Sequence, residues 1–273
     1  MDLSEKLNES AIVLDRFTQG FLPEIGIILG SGWGPVADRI QNPRFVSYAD
    51  VPHMRESTAT SHIGRFVFGE LSGKKVMVMQ GRLHGYEGYA AEEVAYPVWL
   101  MKKMGVHTLI TVNAAGAVNE SFCVGDYCLM RDMINFSGRN PLACLDADKL
   151  AFRFVPLKDA FNPSLRDVVK EVAAQIGAVM REGVYLGMLG PSFETPAEIK
   201  MFRGWGVDSV AMSVVEEVIA ARHVDISVIG ISLLTNMACG IGDSNPTDEE
   251  VLEVSKQKEK QSFALISGIL ERL

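Results

Sequence analysis

Cysteine is scarce in this sequence. Its four copies, Cys123, Cys128, Cys144 and Cys239, form no CxxC pair and have no histidine at metal-ligand spacing. A zinc site is therefore not expected, and reduced, buried thiols in a cytoplasmic protein are the reading they support. Basic charge is also in deficit: 26 Lys and Arg stand against 34 Asp and Glu, for a net charge of −8. A general nucleic-acid or membrane-surface binder would present a basic face, so neither partner is expected. Long apolar runs are missing too. The longest, Ile226 to Leu234, is broken by Ser227 and Ser232 and is too short to span a bilayer. The opening Met1-Asp2-Leu3-Ser4-Glu5-Lys6 lacks the basic start and apolar stretch of a secretion signal. No repeat, low-complexity tract or linker interrupts the chain, so residues 1–273 read as one domain.

What is present is an ordinary globular balance, 48% hydrophobic and 22% charged. Ser4 to Thr18 has helical spacing, with Leu7, Ala11, Leu14 and Phe17 on one face. Ile25 to Leu29 reads as a buried strand, and Arg65–Leu71 with Lys75–Gln80 as a hairpin around Ser72-Gly73. A helix is predicted over Ala91–Met104 and a strand over Thr108–Val112, with shorter strands at Tyr127–Met130 and Gly183–Leu186. Thr195-Pro196-Ala197-Glu198 and Thr247-Asp248-Glu249-Glu250 are capping-box patterns opening helices, the second running nearly to Leu273. Val215–His223 reads as a helix and Ser227–Leu234 as an apolar strand. This alternation indicates a layered α/β fold, and the hairpin makes its sheet mixed.

Polar and glycine-rich clusters fall mostly just after the predicted strands, where α/β proteins place ligands. Gly30-Ser31-Gly32-Trp33-Gly34 offers backbone N–H groups and a hydroxyl to an anion. It lacks the Gly-Lys-Ser/Thr ending of a Walker loop and the GxSxG frame of a hydrolase elbow. A nicotinamide-binding turn is the nearer rival, because Asp50 follows about 20 residues later, although Pro35 and Pro52 fit that unit poorly. Arg82 and His84 alternate off the hairpin end, a charged fork beside an imidazole that suits a phosphate, with Tyr86 extending the wall. Asn113-Ala114-Ala115-Gly116 supplies small residues for close backbone approach, and Phe193-Glu194 an aromatic and a carboxylate before a helix cap. Met212-Ser213 and Thr235-Asn236 each end a strand. A bland alternative exists for each: a turn glycine, a surface Arg with a bonded His, a Glu serving a helix N-terminus.

Taken in order, these segments resemble the trimeric purine nucleoside phosphorylases. The match runs through Leu29–Gly32, Ser61–Arg65, Gln80–Tyr89, Val112–Gly116, Gly190–Thr195, Met212-Ser213 and Leu234–Asn236, nearly the whole chain. The resemblance implies a three-layer α/β/α sandwich around a mixed, partly barrel-like sheet, assembled as a homotrimer. It implies phosphate held by Ser31, Arg82, His84, Ser213 and the backbone N–H of Ala114, with His62 on the loop above. Tyr86, Met212 and Asp248 would meet the ribose, and Phe193, Glu194 and Asn236 the purine, with Ala115 and Gly116 beside it. Catalysis would fall to Asn236, Glu194 and His84, without cofactor or metal, inorganic phosphate being a co-substrate. Asn236, where adenine-preferring relatives carry aspartate, implies 6-oxopurine nucleosides.

The chain departs from the family at three places. Asp248 occupies the slot of a ribose-contacting His, as a hydroxyl acceptor or only a helix cap. Glu216 replaces the Pro of the family's Met-Ser-Thr-Val-Pro-Glu run. Leu150 aligns with an aromatic that crosses from a neighbouring subunit. An oxidoreductase, a non-catalytic purine binder and a nucleoside hydrolase remain the rival readings.

Overall fold

The computed structural model describes residues 1–59 and 62–273, so Ser61 of the Ser61–Arg65 motif lies outside the described residues. Nine strands form one sheet among the described residues: β1 (Ile25–Leu29), β2 (Gln41–Ser47), β3 (Arg65–Leu71), β4 (Lys74–Gln80), β5 (Thr108–Ala117), β6 (Tyr127–Asn135), β7 (Met180–Gly187), β8 (Ser209–Ala211) and β9 (Ser227–Met237). Their order is β2-β3-β4-β1-β5-β8-β7-β6-β9, and β9 pairs back onto β5. Strands β5, β8, β7, β6 and β9 therefore close a ring, while β2, β3, β4 and β1 extend from it as an open sheet. Parallel pairs such as β1–β4, β1–β5 and β5–β9 coexist with antiparallel β3–β4 and β6–β9, so the sheet is mixed.

Among the described residues, six α-helices cover it: α1 (Leu3–Thr18), α2 (Ala91–Lys103), α3 (Pro163–Gln175), α4 (Pro196–Gly204), α5 (Val215–His223) and α6 (Asp248–Leu270). Successive strand residues point to opposite faces, and two cores result. Ile28, Met77, Met79 and Leu109 pack with α1, α2 and α5, whereas Ile27, Val78, Ile110 and Ile231 pack with α3 and α6. This is the α/β/α layering around a partly closed sheet that the family resemblance implies.

Three local differences matter. Strand β5 does not stop at Val112 but continues through Asn113–Gly116, and β9 continues through Asn236; the two pair along their length with an irregularity at Ala115/Gly116. Ladder bonding carries these small and polar residues into the sheet despite their turn-like composition, and the bulge re-aims them. Helix α1 is rotated from its predicted face: Ser10 and Thr18 are buried, and Phe17 is exposed. The Ser10 hydroxyl bonds the Pro52 carbonyl and the Tyr96 hydroxyl at 2.5 and 2.7 Å, which makes a polar position internal. Leu150 packs against the first core, whereas Phe152 and Phe154 beyond it project outward.

Candidate active site

A cleft of about 470 Å³ opens where the ring meets the open sheet, a volume in the ordinary range for small-molecule sites. Its lining brings together Ser31, Arg82, His84, Tyr86, Ala114, Ala115, Gly116, Phe193, Glu194, Met212, Ser213, Asn236 and Asp248. Residues singled out on seven separate segments thus share one cavity. His62 is the exception among the predicted set. It stands behind His84, ring against ring at 5.1 Å and nearly parallel, and does not itself line the cleft. Asp50 is exposed and outside the cleft, and the Gly30–Gly34 loop runs into a 3-10 turn at Gly34–Arg39, not the α-helix of a dinucleotide site.

One end of the cleft is built around Arg82, which leaves the end of β4 and is 1% exposed. Its Nε donates to Glu217 Oε1 at 2.9 Å and its Nη2 to Oε2 at 3.2 Å. Nη2 also donates to the Thr111 hydroxyl at 2.7 Å, which itself donates to Glu217 Oε2 at 2.7 Å. Nη1 reaches Ser213 Oγ at 3.2 Å. A fork so held cannot swing, and a buried cation survives there because a carboxylate meets it bidentately. Gly30 is required beneath it, since a Cβ at that position would lie 2.8 Å from Arg82 Nη1.

Ser213 is set by strained backbone. Val214 has φ 73° and ψ −44°, and Val215 N–H donates back to the Ser213 carbonyl at 2.9 Å. That is a positive-φ γ-turn, costly for a β-branched residue. The buried Tyr185 hydroxyl holds the turn, donating to the Ser213 carbonyl at 2.8 Å and accepting from its N–H at 3.3 Å. Strain overdetermined in this way marks a position whose side chain must point one way.

His84 is fixed from the other side. Its backbone N–H and its ring Nδ1 both meet Glu87 Oε1, at 2.7 and 3.0 Å. Burial alone would raise the Glu87 carboxyl. Bonds from the His84 ring, from the Thr58 N–H and hydroxyl and from the His84 N–H outweigh it and bring Glu87 down to about 2. An ionised carboxylate only accepts, so Nδ1 carries the ring hydrogen and Nε2 is left for a ligand. Burial, with Arg82 nearby, lowers the pKa of His84, and burial with His84 as neighbour lowers His62 to about 4. Both rings are thus neutral at neutral pH. Tyr86 stacks on the outer face of His84, centroids 4.5 Å apart.

The opposite end is simpler. Glu194 is buried just before α4, and burial raises its carboxyl pKa. Asn236, near the end of β9, accepts the Thr235 hydroxyl on Oδ1 at 3.0 Å and donates from Nδ2 to the Met237 carbonyl at 3.0 Å. That orients the amide and leaves its second hydrogen available to a ligand. Phe193 is 41% exposed at the cleft edge. Asp248 opens α6, where Thr247 Oγ1 accepts the Glu250 N–H at 3.3 Å; Thr247 is thus the helix cap and the Asp248 carboxylate faces the cleft.

Sequence reasoning missed Glu217, Thr111, Glu87 and Trp33, whose indole donates to the Asn113 carbonyl at 3.1 Å and ties the glycine loop to β5. For Glu217 there was a usable signal: Val215, Val218, Ile219, Ala220 and Ala221 make α5 apolar all round, and an acid in a helix buried on every side needs a cation.

Comparison with known proteins agrees with this construction. The family model of the phosphorylase superfamily matches residues 24–271. The chain is 45% identical over 251 residues to purine nucleoside phosphorylase 1 of Geobacillus stearothermophilus, covering 92% of each chain. It superposes on a schistosoma purine nucleoside phosphorylase in complex with hypoxanthine with a TM-score of 0.93 at 37% identity, covering 98% and 97% of the two chains. The Schistosoma mansoni enzyme in complex with inosine gives a TM-score of 0.93 at 36% identity, over 98% and 96%.

Proposed function

The chain belongs to the phosphorylase superfamily, among the purine nucleoside phosphorylases, and is a pentosyltransferase; on that premise we propose reversible phosphorolysis of 6-oxopurine nucleosides such as inosine and guanosine, with xanthosine a further substrate to test, yielding free base and (deoxy)ribose 1-phosphate. The observation that carries the reading is the single cleft shared by Arg82 and His84 at one end and Glu194 and Asn236 at the other.

Breaking the bond between C1′ and N9 leaves positive charge on the sugar and negative charge on the base. A phosphate held by Arg82, Ser213, Ser31, His84 and the Ala114 N–H lies beneath C1′, stabilises the cation and captures it with inversion. No covalent intermediate is needed, and holding both reactants together supplies the entropic part of the rate. Because the His84 ring is neutral, its Nε2 accepts from a phosphate O–H or takes up a proton as phosphate binds. The free hydrogen of Asn236 donates to N7 as charge develops on the departing base. Glu194 accepts N1–H, which hypoxanthine and guanine have and adenine lacks; a mismatched buried group rejects the wrong base by about 10⁴–10⁵-fold. Tyr86, Met212 and Asp248 line the sugar's position, Asp248 as acceptor of a hydroxyl.

The proposal includes a homotrimer of single-domain subunits working in the cytoplasm. Its support is an exposed apolar edge at Leu145, Phe152 and Phe154, 94%, 74% and 77% exposed, and the free state of all four cysteines. The decisive experiment is a nucleoside panel with and without inorganic phosphate, following base and ribose 1-phosphate. Phosphate-dependent loss of inosine is expected. Turnover in phosphate-free buffer would make the protein a hydrolase, and purine binding without turnover a binder.

A further inference from the structure

Two charged side chains withdrawn from water take no part in the scheme above. Arg139, in the loop after β6, and Glu216, in the first turn of α5, are only 17% and 8% exposed, with Nε and Oε1 3.5 Å apart. Burial holds the Glu216 carboxyl above its usual range, opposed by Arg139. The same guanidinium donates from Nη2 to the Tyr89 carbonyl at 2.7 Å. It also presses on Gly85, where a Cβ would fall 2.1 Å from Nη1. Its own backbone is anchored, the carbonyl accepting from Asn135 Nδ2 at 2.6 Å and the N–H donating to Ser137 Oγ at 3.2 Å.

One rigid fork therefore touches both segments that carry the phosphate donors. The Gly85–Tyr89 turn follows His84 and contains Tyr86 and Glu87. The start of α5 follows Ser213 and leads into Glu217, the partner of Arg82. Neither Arg139 nor Glu216 lines the cleft. We propose that the Arg139–Glu216 pair is a strut that sets the spacing between the two walls of the phosphate site, so that both are positioning residues for phosphate and not for the base. The geometry is asymmetric: the fork's hydrogen bond goes to the Tyr89 carbonyl and its ion pair to Glu216, one on each phosphate wall. The inference rests on the phosphorolytic reading, and its test separates the two.

The test compares Arg139→Gln, Arg139→Lys and the double variant Arg139→Gln/Glu216→Gln with the wild type. Steady-state KM for phosphate and inosine, phosphate affinity by calorimetry and melting temperature are measured for each. Arg139→Gln is expected to raise the phosphate KM about tenfold, as loss of sub-ångström positioning does, with the inosine KM within about twofold. Arg139→Lys keeps the charge without the bridging fork and recovers only part of the loss. The double variant removes the uncompensated carboxylate, so melting temperature recovers while the phosphate KM stays raised. The strut is overturned if Arg139→Gln leaves phosphate KM and affinity unchanged, if both KM values rise together, or if the double variant restores phosphate KM along with stability. A wild type that binds phosphate but does not consume inosine sinks the function alone, and calorimetry still judges the strut. A wild type without phosphate affinity overturns both.

Discussion

The two ends of the cleft are built differently. At the end proposed to hold phosphate, Arg82, Glu217, Thr111 and Ser213 bond one another before any ligand arrives, and His84 is locked by Glu87. At the end proposed to hold the purine, Glu194 and Asn236 rest on a loop and a strand terminus, with Thr235 and Met237 as the amide's partners. An interlocked network is worth more than its separate bonds and yields poorly to change. A site made of one carboxylate, one amide and a half-exposed ring can be retuned by single substitutions. On the proposed function, the comparison teaches that the invariant reactant would meet the rigid end and the variable one the adjustable end.

The harshest way to break the contrast is to remove Glu217. Glu217→Ala leaves Arg82 charged, buried and without its carboxylate, which costs about 3–5 kcal/mol of stability. Activity at limiting phosphate is expected to fall about 10³-fold, since a misaimed fork no longer meets the transition state. Denaturant unfolding and kcat/KM for phosphate check both, and Glu217→Gln supplies a folded comparison if the alanine variant does not accumulate. Should Glu217→Ala unfold at the wild-type midpoint and keep its phosphate kinetics, the interlocked end is not what organises the site.

At the other end, Asn236→Asp should spare the fold and change the substrate. Replacing the N7 donor by an acceptor is expected to lower inosine kcat/KM about 10²–10³-fold. Adenosine, whose 6-amino group can now donate to Asp, gains turnover. Melting temperature within about 2 °C of wild type, together with a narrowed inosine-to-adenosine ratio, would sharpen the comparison. Unchanged selectivity would remove Asn236 from the base.

The unequal legibility of the two ends has the same origin. Arg82, His84, Glu194 and Asn236 stand out in sequence because each is a polar residue at the end of an apolar strand or beside a helix cap. The fold followed from periodicity wherever packing alone decides: the strand at Ile25–Leu29, the hairpin turning at Ser72-Gly73, both with positive φ, and the helix capped by Thr195. What stayed hidden depends on distant partners. Glu217 lies 135 residues from Arg82, Ser10 lies 86 from Tyr96, and β5 extends past Val112 only because β9 pairs with it. No local window contains such pairs. The family resemblance puts His62 on the loop above the phosphate, and no local window shows that its ring stacks on His84 behind the cleft lining.

The histidine stack gives the phosphate end a pH signature opposite in sign to that of the purine end, where burial raises Glu194. His62 is lowered from 6.5 to about 4 by burial and by His84, and His84 is lowered in the same direction. An unfolded chain therefore binds more protons than the folded one between those limits, so stability is full above pH 6.5 and declines as pH falls towards 4. The Glu87 contribution, whose pKa drops from 4.5 to about 2, is lost as pH falls from 4.5 towards 2. Urea midpoints at pH 7.5, 6 and 5 should fall progressively in the wild type, and less steeply in His62→Gln. Phosphate should flatten the decline, because an anion favours the charged rings. Parallel pH profiles for wild type and His62→Gln would mean that the ring is not held neutral by its surroundings.

The smallest effect is expected at Phe193. Its ring is 41% exposed, on the loop before α4. Stacking of a purine on an aromatic face is worth about 1–3 kcal/mol when lost to alanine in nucleic-acid sites, and half-exposure places this case at the low end. Phe193→Leu keeps apolar area while losing the flat face, so a rise in inosine KM of about threefold is expected, with phosphate KM, kcat and melting temperature unmoved. The direction matters more than the size. A change confined to one KM shows that the base end can be altered without disturbing the phosphate end, whereas a matching shift in phosphate KM would mean that the two ends are mechanically coupled and the division between them is false.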